Sequence, residues 1–165
     1  MSRPGPFRFV DRILEYASEE RIVTLTDLSS RKDLLNRFGF SSLLLEIAAQ
    51  SCGLMNRAQH RGTRDSFLGK VRHMAFHEPF FTVSPLSTVR TLARRISGTP
   101  DLTRYQGKVE SFNGTLLADF DLLICTAELG GRDTDGRRRY WQDYLDRLEQ
   151  QTFLNTNGER FHEIH

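Results

Sequence analysis

The strongest constraint on the fold is a thirteen-residue run from Leu43 to Met55, in which only Glu46 and Gln50 are strongly polar. A helix that is apolar nearly all round is one that protein covers on every side. The second half of the run is built of small residues, which let other backbone approach closely. The run therefore predicts a buried central helix over roughly residues 42–56, with Ser41 and Ser42 as candidate N-cap residues.

Segments with a strand-like pattern stand on both sides of this helix. They are rich in β-branched or aromatic residues and cover residues 22–26, 66–71, 73–83, 86–96, 105–112 and 115–127. Asn113-Gly114 separates the last two and predicts a two-residue type I′ hairpin. One helix cannot cover a sheet of this size and remain apolar on every side unless the sheet curls around it.

These elements predict an α+β protein with the hot-dog fold, in which a curled antiparallel sheet wraps around one central helix. Gly130-Gly131 ends this body, and beyond it residues 137–151 repeat apolar side chains at helical spacing, which predicts an amphipathic C-terminal helix. We expect a hot-dog domain over residues 1–130 and a C-terminal extension over residues 131–165.

Composition and charge exclude several classes of protein. Basic and acidic residues nearly balance, with 23 Lys and Arg against 21 Asp and Glu, which gives no indication of nucleic-acid binding. No apolar run is long enough to cross a membrane, and residues 1–10 lack the apolar core of a signal peptide, so we expect a cytoplasmic protein. Cys52 and Cys125 lie in apolar runs and are expected to be reduced thiols, with a disulfide as the less favoured alternative. No motif for a cofactor or a metal ion is present.

Glu46 is the candidate catalytic residue. A carboxylate on an otherwise apolar helix is costly to bury unless it is paired or has a function. Burial would raise its pKa toward neutrality, which suits general acid–base catalysis, and Gln50 lies one turn further on the same face. In the alternative interpretation, backbone amides satisfy Glu46 as in a capping box, although its spacing from Ser42 is four residues where that motif uses three.

Four segments of the chain are similar to the 3-hydroxyacyl-(acyl carrier protein) dehydratases of fatty acid synthesis. They run through residues 6–129 in the family's order, and the helix segment contains a Glu followed by Ala-Gln. The segments are Pro6 to Glu15 with Arg21 to Val23, Leu43 to Leu54, Phe67 to Gly69, and Phe112 to Asp119.

This resemblance implies a dimer that binds an acyl thioester in a tunnel at the subunit interface. The thioester would be carried by acyl carrier protein or CoA, and the dimer would be a homodimer or a heterodimer with a related hot-dog subunit. By position, Glu46 matches the family's acidic residue, and Ser41 and Ser42 stand where backbone amides hold the thioester carbonyl. The remaining substrate-binding candidates are Gln50, Phe67, Leu68 and Gly69, with Phe76 expected nearby.

The chain departs from the family where the catalytic His is expected. The segment from Leu34 to Ser42 contains no His, and its nearest counterpart is Arg37, which cannot act as a base. His73 and His77 are the candidate substitutes, and both are alternatively structural or surface residues. The basic run of residues 57–72 could contact an acidic carrier protein or form a solvated surface.

Three interpretations of function remain open at this point. The protein is an active lyase or thioesterase that uses Glu46, a catalytically reduced acyl-binding subunit, or an unrelated binding protein whose C-terminal helix docks a partner.

Overall fold

The computed structural model describes residues 8–77, 88–129 and 134–156. Parts of the predicted strands at 73–83 and 86–96, and the start of the segment from Pro6, lie outside these residues. The elements are β1 (Arg12–Ala17), β2 (Arg21–Asp27), a 3-10 turn (Ser29–Arg31), α1 (Lys32–Phe38), α2 (Phe40–Gln59), β3 (Arg64–Phe76), β4 (Thr88–Gly98), β5 (Leu102–Ser111), β6 (Leu116–Glu128) and α3 (Thr134–Thr156).

The six described strands form one antiparallel sheet in the order β1-β2-β4-β5-β6-β3. Strand β6 shows how the sheet separates its two faces. Phe120, Leu122 and Ile124 belong to the buried core together with α2, whereas Asp119 and Asp121 alternate with them and face the other side. The predicted hot-dog arrangement of a sheet around one long helix is therefore confirmed.

The central helix α2 begins two to three residues earlier than its capping pattern predicted. Gly39 stands at the N-cap with φ 75°, a backbone conformation that glycine adopts without steric cost, and makes the bend between α1 and α2. Ser41 and Ser42 consequently lie inside the first turn and make no side-chain cap. The N-cap prediction for them is wrong because the apolar run, from which the helix start was read, begins later than the helix itself.

The connection between β5 and β6 also differs from the prediction. A type I′ turn needs positive φ at both central residues, but only Gly114, with φ 87°, meets that condition. Ser111 N donates to Thr115 O over 2.9 Å, so three residues close the hairpin and the glycine occupies the left-handed position. Asn113 instead accepts from Thr115 N over 3.3 Å through its side chain.

The C-terminal helix α3 packs onto the hot-dog body. Leu145 and Leu148 join the core cluster, and Tyr144 Oη donates to the backbone oxygen of Val10 over 2.6 Å. The predicted helix is confirmed, and it is longer than residues 137–151. The domain boundary at residues 130 and 131 stays a prediction.

Both cysteines are free thiols, and burial raises the pKa of the Cys52 thiol. Within the described ranges, no single helix is both long and apolar enough to cross a membrane. The segments Ser29–Phe38 and Phe40–Gln59 reach that length and composition only as a pair bent by 117°.

Candidate functional site: a cleft beside the central helix

A cleft of roughly 440 Å³ lies beside α2, bounded by β3, by the segment before β1 and by α3. Four of the predicted site residues line it: Glu46, Gln50, Phe67 and Leu68. The structure thus brings together the helix pair and the strand residues that the sequence analysis placed in one substrate site.

Glu46 and Gln50 form a hydrogen-bonded pair on the cleft side of α2. Gln50 Nε2 donates to Glu46 Oε1 over 2.8 Å, and Gln50 Oε1 accepts from Phe9 N over 2.9 Å. The amide group therefore fixes the carboxylate of Glu46 relative to the segment that precedes β1. The carboxylate keeps an acceptor oxygen for a water molecule or a substrate hydroxyl group.

The expected burial of Glu46 is wrong for the single chain, because its side chain is exposed at the cleft. The helix directs Ile47 and Ala48 toward the core, where both are fully buried, while positions 46 and 50, one turn apart, face the open side. A sequence pattern cannot separate a residue inside a core from one that faces an internal cleft, since apolar neighbours surround both.

The other predicted site residues lie outside the cleft lining. Ser41 and Ser42 are exposed in the first turn of α2, and Phe76 is exposed near the end of β3. Gly69 has a packing reason to be glycine, because a Cβ atom there would lie 2.5 Å from Cys125 Sγ at an irregularity in the β3–β6 pairing.

His73 and His77 share one carboxylate on the opposite face of the sheet. His73 Nε2 lies 3.0 Å from Asp119 Oδ1, and His77 Nε2 lies 2.8 Å from Asp119 Oδ2. Because Asp119 points away from α2, both rings are on the convex side and not beside Glu46. Their substitution for the missing base stays a prediction that the geometry of one chain does not support. In the described part of the chain, no group of three His, Cys, Asp or Glu side chains could hold a metal ion.

The cleft has a second wall that the sequence analysis did not assign to the site. Its residues come from the N-terminal segment, the end of α2, the start of β3 and α3, namely Arg8, Arg57, Ser66, Tyr140, Trp141 and Tyr144. The helical spacing of the three aromatic residues was visible in the sequence, but spacing alone does not say where an amphipathic helix docks.

Two guanidinium groups lie against the aromatic rings of this wall. The Arg8 group is 4.1 Å from the ring centre of Tyr140 and 4.6 Å from that of Tyr144, and the Arg57 group is 4.0 Å from that of Trp141. Such contacts are cation–π interactions.

The two arginines differ in their electrostatic partners. Arg57 is largely buried and pairs with Asp65 over 2.9 Å, so it does not belong to a solvated basic surface. Burial lowers the pKa of both guanidinium groups, and at Arg57 the hydrogen bond that Nη2 donates to Asp65 opposes this lowering. At Arg8 the opposing influence is Tyr144 and not a carboxylate. From the same basic run, Arg61, Lys70 and Arg72 are exposed, as the solvated-surface alternative expects.

No protein-family model and no curated protein matches the sequence. Solved structures do match its fold. A chain of the dehydratase heterocomplex ApeI:P from Xenorhabdus doucetiae superposes with a TM-score of 0.60 and 15% identity over 76% of this chain and 87% of that one. A thioesterase from Haemophilus influenzae gives a TM-score of 0.54 and 11% identity over 73% of this chain and 80% of that one.

A hypothetical thioesterase from Streptococcus pneumoniae, solved with coenzyme A, gives a TM-score of 0.54 and 12% identity over 71% of this chain and 85% of that one. At these identities the likeness shows the fold alone. The chain therefore has the hot-dog fold of these dehydratase and thioesterase structures, with Glu46 and Gln50 presented to a cleft that α3 helps to build.

Proposed function

We propose that the protein binds an acyl thioester in this cleft and that Glu46 performs acid–base chemistry on it. The observation that carries the proposal is the Glu46–Gln50 pair, which opens on a cleft partly lined by the apolar side chains of Phe67 and Leu68. An apolar cleft with a few convergent polar groups is the usual form of a small-molecule site.

Dehydration of a 3-hydroxyacyl thioester is the first proposed reaction. The Glu46 carboxylate would remove the proton from C2 of the acyl chain, and a double bond would form between C2 and C3 as the hydroxyl group leaves from C3. The carboxyl group would return the proton to the leaving hydroxyl group, releasing water and an enoyl thioester. Backbone amides at Ser41 and Ser42, which lie in the first turn of α2 and outside the cleft lining of one chain, are the proposed donors to the developing enolate oxygen.

Hydrolysis of the thioester is the second candidate. The resembled dehydratases use a His in addition to the acidic residue, whereas here His73 and His77 lie on the far face of the sheet. Glu46 is therefore the acid–base side chain of the predicted set that lines the described cleft, and this favours hydrolysis. One carboxylate is sufficient: Glu46 would take a proton from water as the water oxygen attacks the thioester carbonyl carbon. The tetrahedral intermediate would then expel the thiolate, which takes up the proton, and the products are a free acid and a thiol.

A dimer is part of the proposal. Strand β3 is an edge strand of thirteen residues with exposed apolar side chains at Phe67, Val71 and Phe76. An edge of this kind offers unpaired backbone groups to another strand. We propose that it pairs with a second copy or with a related hot-dog subunit, and in the latter case this chain could be the partner that binds but does not convert the acyl group.

The carrier of the thioester is CoA or acyl carrier protein. The coenzyme A in the Streptococcus pneumoniae neighbour supports the first, and the resemblance to the dehydratases of fatty acid synthesis supports the second. We also propose a cytoplasmic location, in keeping with two free cysteines.

One experiment separates these possibilities. The protein is incubated with 3-hydroxyacyl thioesters of CoA and of acyl carrier protein, and the products are followed by mass spectrometry and by a thiol reagent. Enoyl product indicates the lyase, free thiol indicates the thioesterase, and binding without either product indicates the non-catalytic subunit. A folded protein that neither binds nor converts a panel of such thioesters would overturn the proposal.

A further inference from the structure

Arg8 is a cation in the cleft wall for which the described side chains supply no counter-ion. Its Nε is buried without a hydrogen-bond partner. The charged or titratable groups that act on it are Tyr144 and Arg147, of which the second is another cation. Desolvating a guanidinium group beside a like charge is unfavourable, and the aromatic faces of Tyr140 and Tyr144 offset only part of that cost.

Arg8 lines the cleft, so its guanidinium group is next to the space that a ligand would occupy. Tyr140 and Tyr144 lie against the guanidinium group, and the donors of such a group lie in its plane, where they match the paired oxygens of a carboxylate or a phosphate. The backbone of the same residue is held firmly, since Arg8 O accepts from Arg31 Nη2 over 2.7 Å. Arg8 is therefore a positioned donor and not a loose surface side chain.

Arg8 and Glu46 give the cleft a positive charge on one part of its lining and a negative charge on another. Gln50 joins Glu46 to the backbone of Phe9, the residue next to Arg8, so the two charges mark neighbouring parts of one cleft. An anionic group would be repelled by the Glu46 carboxylate and attracted to the wall formed by Arg8 and α3.

We propose that Arg8 binds an anionic group of the ligand, either a carboxylate at the far end of the acyl chain or the phosphate of a phosphopantetheine arm. This inference rests on the proposed thioester function. It names the substrate class as an acyl thioester with a fixed negative charge away from the reacting carbonyl group. The C-terminal helix then acts as the element that holds the charge-recognising arginine in place.

The test uses four stable amides in which nitrogen replaces the thioester sulfur: glutaryl and pentanoyl amides of pantetheine, each with and without the 4′-phosphate. Their affinities for the full chain are measured by calorimetry. A charge-assisted hydrogen bond to Arg8 should make one anionic form at least about tenfold tighter than its neutral counterpart. Preference for glutaryl identifies the acyl carboxylate as the source of the charge, and preference for the phosphorylated pair identifies the phosphate.

Variants show whether Arg8 is responsible. Arg8→Gln should remove the preference, because it weakens binding of the anionic amide more than binding of the neutral one. Arg8→Lys should keep part of the preference. Arg147→Gln is the matched control, because Arg147 is an exposed cation near Arg8 that is not part of the cleft lining. This variant should prefer the anionic amide over the neutral one to within about twofold of the parent's preference. An Arg8→Gln variant with the parent's preference would overturn the inference, and so would equal binding of all four amides by the parent.

A separate readout distinguishes this inference from the proposed function. If no amide binds, the thioester proposal fails, and inorganic phosphate is then titrated while the Arg8 Nε–H signal is followed by NMR. A saturable shift that is absent in Arg8→Gln would support the anion site on its own, and no shift would overturn it as well.

Discussion

The two faces of the sheet differ in which kinds of side chain lie next to one another. On the concave face, alternate residues of β6 such as Phe120 and Leu122 pack against α2 and leave the cleft with Glu46 at its side. On the convex face, Asp119 forms hydrogen bonds with two histidines, and Asp121 forms an ion pair with Arg104. These two carboxylates on the convex face are paired with neighbouring side chains, whereas the concave face has a carboxylate and an arginine at a cleft. We therefore expect ligand chemistry on the concave side.

The largest expected effect is the loss of activity in Glu46→Gln. The substitution keeps the shape and the hydrogen bond to Gln50 but removes the acid–base group, which typically contributes a factor of 10² to 10⁴. Turnover of whichever thioester is processed should fall at least about 100-fold, with the melting temperature unchanged. Glu128→Gln, at an exposed position near the end of β6, should keep the parent's activity. An active parent whose Glu46→Gln variant turns over at full rate would end the catalytic assignment.

The docking of α3 on the concave side can be tested by truncating one core side chain. Leu145 is 6% exposed, and Leu→Ala at such a position costs about 2–5 kcal/mol of the free energy of unfolding. Leu145→Ala should therefore lower stability in urea denaturation and weaken binding of anionic ligands, since α3 holds Tyr140 and Tyr144 against Arg8. Leu102→Ala, at a side chain that is 41% exposed, should change stability by less than about 1 kcal/mol. Equal effects of the two variants would contradict the packing of α3 on the core.

The sequence allowed the concave side to be predicted in part. The apolar run around Glu46 and Gln50 predicted α2, and the strand patterns predicted the sheet, because both depend on local periodicity that burial imposes directly. The wall formed by Arg8, Tyr140 and Tyr144 could not be predicted in this way. It joins residues that lie more than 130 positions apart in the chain, and the pairing of an arginine with an aromatic face leaves no periodic signal.

The convex side should contribute to stability with a defined pH dependence. Hydrogen bonds from Arg104 hold the pKa of Asp121 below its ordinary value of 3.8, with Gln106 and the charge of Arg72 acting in the same direction. A carboxylate with a lowered pKa in the folded state stabilises the protein above its unfolded pKa, and the contribution is lost as pH falls through the lowered value.

Asp121→Asn should therefore be less stable than the parent at pH 6, and the difference should shrink as pH falls below 3.8. Urea denaturation at pH 6, 4 and 3 measures this, and a difference that does not change with pH would contradict the ion-pair assignment. Catalysis should be unaffected at pH 6 while the variant is folded.

The smallest expected effect concerns His73 and His77. Both rings bond to Asp119 on the convex face, and their side chains are 59% and 37% exposed. Proton transfer needs a hydrogen-bond distance to the reacting atom or one intervening water, which a ring on the far side of the sheet does not have within one chain. The double variant His73→Gln, His77→Gln should keep turnover within about twofold of the parent and lose a little stability, because exposed pairs of this kind contribute less than about 1 kcal/mol. The comparison variant is Asp119→Asn, which replaces the shared carboxylate with a neutral amide that has one acceptor oxygen and leaves both rings in place. It shows whether a loss of turnover comes from the contacts of the two histidines with Asp119 or from proton transfer by the rings themselves. A loss of 100-fold or more in the double variant, with Asp119→Asn fully active, would show that a histidine reaches a reacting group, and it would move the acid–base site to a position where the β3 edge of one subunit meets the cleft of another.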